Sequence, residues 1–286
     1  AVVMELLERG KHVLVEKPIA HTVGEAEEMV AAAEVRDLVL QVGHVERFNP
    51  AWMQARTQIH SPRFIAARRL APYTCRSTDV GVVLDLMIHD LDLVLNLIPE
   101  EVVNVQAVGA SVIGPHEDWA EARLTFENGC VAQFSASRVS PTVVRSIEVA
   151  CEQGFATVDF GAMTARTLEP SLAVQHRQID LARMTPAERV ELKEKFFEQY
   201  LQKHELAVTD HNAILEEQRD FCHAIQNGTQ PQVTGHDGWR ALETAERIVA
   251  ALAAGQLKPS RPSSDPLQHA LRGPHWAKVP ARRKAS

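Results

Sequence analysis

HVLVEKPIA, residues 12–20, and LVLQVGHVERFNP, residues 38–50, decide how the chain begins to fold. Each is a short aliphatic, β-branched run that stops at charged and turn-forming residues, the pattern of a buried strand entering a loop. Between them Thr22 reads as an N-cap. Glu25, three residues on, completes a capping box that predicts a helix to about Glu34. Strand, helix and strand with connections this short predict a parallel βαβ unit.

Upstream, AVVMELLERGK opens inside a helical pattern, with Val2, Val3, Leu6 and Leu7 on one face and Gly10 at the C-cap position. A helix without a start signal leads us to expect a piece of a longer polypeptide. Downstream, a helix is predicted after Pro50, a strand over Phe64–Leu70, and a helix over Leu84–Ile98. In that helix Leu84, Ile88, Leu91 and Leu95 share a face, and Pro99 ends it.

The texture changes from Val102 to about Val174. Alternating segments such as VVNVQAVGA and SIEVACEQGFATVDF are joined by turn signals, with Asn128-Gly129 the clearest hairpin cue. This predicts an antiparallel sheet with one face on a core and the other wet or paired with a partner. Thr185-Pro186-Ala187-Glu188 combines an N-cap, a first-turn proline and a capping-box glutamate. Further helices fit 210–225 and 237–254. Residues 256–286 are rich in Pro, Ser and Arg and read as a disordered or extended tail.

The 286 residues carry a net charge of −7, which argues against a nucleic-acid surface as the main business. No run of 18 apolar residues occurs, and residues 1–20 lack the layout of a signal peptide. Four scattered cysteines read as reduced thiols, so a cytoplasmic protein is expected.

Three stretches could carry chemistry. In an open α/β sheet, ligands bind beyond the carboxyl ends of the strands, where Glu16-Lys17-Pro18 and Gly43-His44 fall. A lysine there either faces solvent or stabilises a developing alkoxide. Asp85 and His89, four apart on a mostly apolar helix, form either a satisfied core pair or an oriented general base. Asp90 and Asp92 read as helix-surface or packing residues. In GHVERFNPAW, Arg47 could clamp a phosphate or sugar oxygen, and Asn49 could cap the next helix or touch substrate. Arg68, Arg69 and Arg76 flank LAPYT as a possible anion-binding cluster. A metal-dependent hydrolase around His44, Asp85, His89 and Asp90 lacks any recognised ligand spacing. No G-x-S-x-G supports a serine nucleophile. No two glycines are separated by a single residue, so the sequence holds no G-x-G-x-x-G dinucleotide turn.

Taken together, HVLVEKP, VGHVERFNP and DVGVVLDLMIHDLDLVL resemble the Gfo/Idh/MocA oxidoreductases over about residues 1–255, and VTGHDGWRALETAERIVAAL is similar to that family's closing helix. The resemblance implies an α/β plus α+β fold. Residues 1–46 would be the C-terminal part of a Rossmann-type parallel sheet. Residues 47–255 would form an α/β domain with a large open, mostly antiparallel sheet, with helix 237–254 packing back on the Rossmann part. It implies an NAD- or NADP-dependent dehydrogenase, NAD favoured, with Lys17, Asp85 and His89 catalytic and His89 the proton acceptor. Glu16, Lys17, Pro18, Gly43 and His44 would touch the cofactor; Arg47, Asn49, Arg69 and Tyr73 would touch the substrate. It implies no catalytic metal, no nucleic acid, no membrane, and a homodimer or homotetramer formed through the open sheet. The second and third stretches look like members that oxidise the 3-hydroxyl of UDP-N-acetylglucosamine; inositol- and other sugar-specific members share much of the texture. With the glycine turn missing, little activity is expected from residues 1–286 alone. A non-catalytic dimerisation or regulatory module is the alternative.

Overall fold

The computed structural model of the chain describes residues 1–76 and 79–255; the expected tail, 256–286, lies outside the described residues. Helix α1 (Val2–Glu8) leads into β1 (Val13–Glu16), α2 (Val23–Val35) and β2 (Leu40–Gly43). β1 and β2 pair in parallel from Val13↔Leu40 to Glu16↔Gly43, giving the predicted βαβ unit. The Thr22 side chain accepts the Glu25 amide at 3.2 Å. The Glu25 carboxylate reaches the amide of His21 rather than that of Thr22, one residue off the expected capping box. Ala26, Met29, Ala32 and Ala33 of α2 bury against Leu7, Val13, Leu40 and Val42, which is why the β1–β2 ribbon is apolar on that face.

From β2 the chain makes a 3-10 turn (Val45–Phe48) into α3 (Pro50–Arg56), whose N-terminus is capped by the Asn49 side chain through the Ala51 amide at 3.0 Å. It then runs as β3 (Pro62–Leu70) and returns as a π-helical turn (Val83–Met87) continuous with α4 (Ile88–Leu97). Six strands follow: β4 (Val102–Ala110), β5 (Trp119–Phe126), β6 (Val131–Ser137), β7 (Val144–Cys151), β8 (Gly154–Asp159) and β9 (Thr164–Pro170). Then come α5 (Leu172–Gln175), α6 (Pro186–Glu194), a second π turn (Phe196–Tyr200), β10 (Leu201–Glu205), α7 (Ala213–Asn227) and α8 (Gly235–Gly255). The capping box at Thr185 and Glu188 is complete.

The large sheet has the order β10-β9-β8-β7-β3-β6-β5-β4. Every pair is antiparallel except β3 with β6. The alternating region thus takes in β3, which arrives from the parallel unit and fills the slot between β6 and β7. Gly129, at φ +83°, closes the β5–β6 hairpin in a conformation open to glycine at little cost. Ile65, Ala67, Leu124, Ala132, Phe134, Ile147 and Val149 form the inner face, buried against Trp52 of α3 and Leu91, Val94 and Leu95 of α4.

α8 joins the two sheets, packing on α2, on α4 and on β4. Gly238 permits this: a Cβ there would lie 2.5 Å from Val42 Cγ2. Arg240 donates to the carbonyls of Leu95, Ile98, Pro99 and Glu100, so a cation closes the C-terminal end of α4. Together these contacts fix α4 relative to the ends of β1 and β2, where the candidate site lies.

Candidate active site

Lys17 follows the last residue of β1, joined to Pro18 by a cis peptide bond. Its Nζ donates to the main-chain carbonyl of Asp85 at 2.7 Å and lies 3.5 Å from the Asp85 carboxylate. The two residues are 68 apart in sequence, so the contact is made by the fold and not by local geometry. Asp85 sits in the π-helical turn. Such turns are uncommon and recur at functional sites. Burial lowers the Lys17 pKa from its ordinary value, and Asp85 opposes the shift.

His89 is in the first turn of α4. Its Nδ1 is buried without a hydrogen-bond partner among the described residues, and Nε2 is the ring nitrogen that keeps access. Burial, then the charges of Arg69 and Lys17 and the nearby His44 and Arg145, hold the imidazole well below its usual pKa. It is therefore neutral near pH 7, the state a proton acceptor needs.

The expected Asp85–His89 pair does not form. An uninterrupted α-helix would place residues four apart on one face. The wider π turn directs Asp85 to Lys17 instead.

Two buried ion-pair groups stand behind this centre. Arg47 is bidentate to Asp92, both contacts at 2.7 Å, and reaches Asp237 of α8 at 3.4 Å. Arg69 donates to Asp90 at 2.7 Å and to Glu46 at 3.0 Å, and its guanidinium lies 5.9 Å from the Phe160 ring centroid. Burial pushes the Glu46 carboxyl up, but Arg69 and Arg145 outweigh it and hold it below the usual carboxylate value. Asn49 caps α3 with its oxygen and donates its amide to Glu46.

These contacts involve three expected substrate residues. Arg47, Asn49 and Arg69 are buried with their polar groups engaged by the protein, which ties them to the scaffold. Of the two readings for Asp90 and Asp92, surface or packing, the second holds: both are buried, as counter-ions to Arg69 and Arg47. Tyr73 lies half-buried on the loop after β3 and makes no hydrogen bond among the described residues. Sequence reading missed Glu46 and Arg145. A signal existed for the second: Arg145 shares strand parity with the inward Ile147 and Val149, and a charge at an inward position needs a partner.

The ends of β1 and β2 fit the nicotinamide half of a dinucleotide. His44, next to Gly43, is buried with both ring nitrogens unpartnered among the described residues, an orphaned polar group at the edge where a ligand would lie. With no G-x-G-x-x-G in the sequence, the fit extends to that half alone.

Residues 1–44 match a family profile described as "Oxidoreductase family, NAD-binding Rossmann fold", and residues 26–157 match one described as "GFO/IDH/MocA C-terminal domain". The chain is 35% identical over 255 residues to the UDP-N-acetylglucosamine 3-dehydrogenase of Acidithiobacillus ferrooxidans, covering 89% of this chain and 75% of that protein. It belongs to the Gfo/Idh/MocA oxidoreductases. A solved structure of the A. ferrooxidans enzyme superposes with a TM-score of 0.76 at 31% identity, over 88% of this chain and 74% of that one. An inositol dehydrogenase homologue from Azotobacter vinelandii, solved with NADH and myo-inositol, gives 0.70 at 17% identity, over 89% and 73%, and shares the fold. Within the Gfo/Idh/MocA family this chain is an NAD(P)-dependent oxidoreductase of the sugar and polyol dehydrogenase type.

Proposed function

We propose that the chain oxidises a secondary hydroxyl of a sugar nucleotide, the 3-hydroxyl of UDP-N-acetylglucosamine, to the ketone with NAD. The observation that carries this reading is the meeting of Lys17, from the end of β1, with the turn that bears Asp85 and leads to His89. Similarity to the A. ferrooxidans enzyme supports the choice of substrate. Glu16, Lys17, Pro18, Gly43 and His44 would hold the nicotinamide end, and a bound nicotinamide supplies the hydride acceptor. His89 takes the hydroxyl proton on Nε2. Lys17, held by Asp85, lies where a cation stabilises the alkoxide that develops. Asp85 thus acts on the lysine and not, as the sequence suggested, on the histidine.

The test is reduction of NAD by UDP-N-acetylglucosamine against myo-inositol and against NADP, with the keto sugar identified by mass. A preference for myo-inositol would overturn the substrate assignment. Run against pH, kcat/KM should stay level as pH falls past 6.5, the ordinary histidine value, because a lowered pKa keeps His89 unprotonated there. An acid limb at or above 6.5 would exclude His89 as the acceptor.

We further propose self-association through the outer face of the large sheet. Val131, Phe64, Ala150, Phe155 and Leu168 are consecutive cross-strand partners over five strands. Phe64 and Phe155 in that row are 38% and 48% exposed. A Phe64→Asp, Phe155→Asp double variant should halve the solution mass or more. An unchanged mass would place the interface elsewhere.

A further inference from the structure

Arg145 differs from the other arginines behind the site. It faces Arg69 in register across β7 and β3 and shares its inner side of the sheet. Arg69 is 7% exposed, with both ends of its guanidinium engaged by carboxylates. The Arg145 side chain is 41% exposed and is tied at a single nitrogen, Nη2, to Glu46. Its Nε is buried with no acceptor among the described residues, and Nη1 makes no hydrogen bond among them. Glu46 is already shared with Arg69 and Asn49, so it anchors the Arg145 head without satisfying it. The Phe160 amide donates to the Arg145 carbonyl, fixing the strand beneath the side chain. Through Glu46 and Arg69 the guanidinium is linked to Asp90, the residue after His89, and its charge adds to those that lower the imidazole pKa.

We propose that Arg145 is the substrate's oxyanion contact: it binds a negatively charged oxygen of the sugar substrate, from a phosphate or a carboxylate, while His89 faces the hydroxyl to be oxidised. A guanidinium clamped at Nη2 holds the neighbouring Nη1 in a fixed orientation, and the planar Nη edge suits phosphate and carboxylate oxygens. Glu46 acts as the hinge pin of this fork, and Arg69 keeps Glu46 ionised. A neutral polyol gains less from the contact than an anion does, so Arg145 sets specificity. The inference rests on the sugar-dehydrogenase reading above and names the residue that holds the substrate's charged oxygen.

The experiment uses the full-length protein and its Arg145→Gln and Arg145→Lys variants, with UDP and glucuronate as probes in calorimetric titrations. Wild-type protein should bind one of them: UDP assigns the oxyanion to a phosphate, glucuronate to a carboxylate. Arg145→Gln should weaken that binding at least about tenfold, the scale of losing a hydrogen bond to a charged group. Arg145→Lys should fall between. Unchanged melting temperatures would show that the fold is retained, as expected for a half-exposed side chain. Binding of neither probe by the wild-type protein, or equal binding by Arg145→Gln, overturns the proposal. If the probe binds in an Arg145-dependent way but no sugar reduces NAD, the dehydrogenase reading fails while the oxyanion contact stands.

Discussion

Lys17→Met should lower kcat by at least about 100-fold, the usual reach of a positioned acid–base or charge-stabilising group. The variant keeps an unbranched chain of similar length, so packing beside Pro18 is retained while the charge is lost. What disappears is the donor aimed at the Asp85 carbonyl and carboxylate, and with it the cation at the strand edge. Lys17 and Asp85 are about one-fifth exposed, so water can solvate the carboxylate left behind. Stability should therefore move far less than activity. Arg in place of Lys should not rescue the rate, because a planar fork cannot put one compact charge at the position of Nζ. Asp85→Asn should give a milder defect, since the carbonyl contact at 2.7 Å survives it. Steady-state rates on the substrate that reduces NAD, with melting curves for each variant, decide the matter. A Lys17→Met enzyme within tenfold of wild type would remove the lysine from the chemistry.

Much of this site was legible in the sequence because each part ends a strongly patterned element. The E-K-P triplet closes a strand whose apolar run is unmistakable, and the hairpin glycine and Thr185 capping box are local signals that read directly onto structure. Three things were not legible. Periodicity assigned residues 84–98 to one regular helix, and nothing in a 3.6-residue pattern marks the π turn that reorients Asp85. The partners of Arg47 and Arg69 lie 45 and 21 residues away, so each read as a free cation until the fold closed the pairs. The pairing of β3 with β6 and β7 is also non-local, set by the shared inner face and not by a turn. A buried guanidinium is costly unless carboxylates meet it, and here two aspartates of one apolar helix do.

Asp92→Ala should cost about 3–5 kcal/mol, the range for removing one partner of a buried ion pair. The pair is nearly sealed, with the Arg47 and Asp92 side chains 2% and 0% exposed. Burial alone would push Arg47 toward losing its charge; Asp92, with Asp237 behind it, reverses that and holds the guanidinium ionised. Taking away Asp92 strands a cation in the interior with two long contacts, to the Gln232 carbonyl and to the partly exposed Asp237, each at 3.4 Å. The damage is not confined to one helix. Arg47 belongs to the turn after β2, Asp92 to α4 and Asp237 to α8, so the pair joins the parallel strands to the helix that carries His89. Denaturant unfolding should show the loss, and the Arg47→Met, Asp92→Leu double variant should recover most of it, since replacing both members of a buried pair by apolar groups of similar volume is often neutral. The paired Arg219–Glu216 on exposed α7 supplies the control: Glu216→Gln should change stability by less than about 1 kcal/mol. A loss below about 1 kcal/mol for Asp92→Ala would mean that water or Asp237 already compensates Arg47, and that α4 is held over the strand ends by its apolar face and the Arg240 clamp.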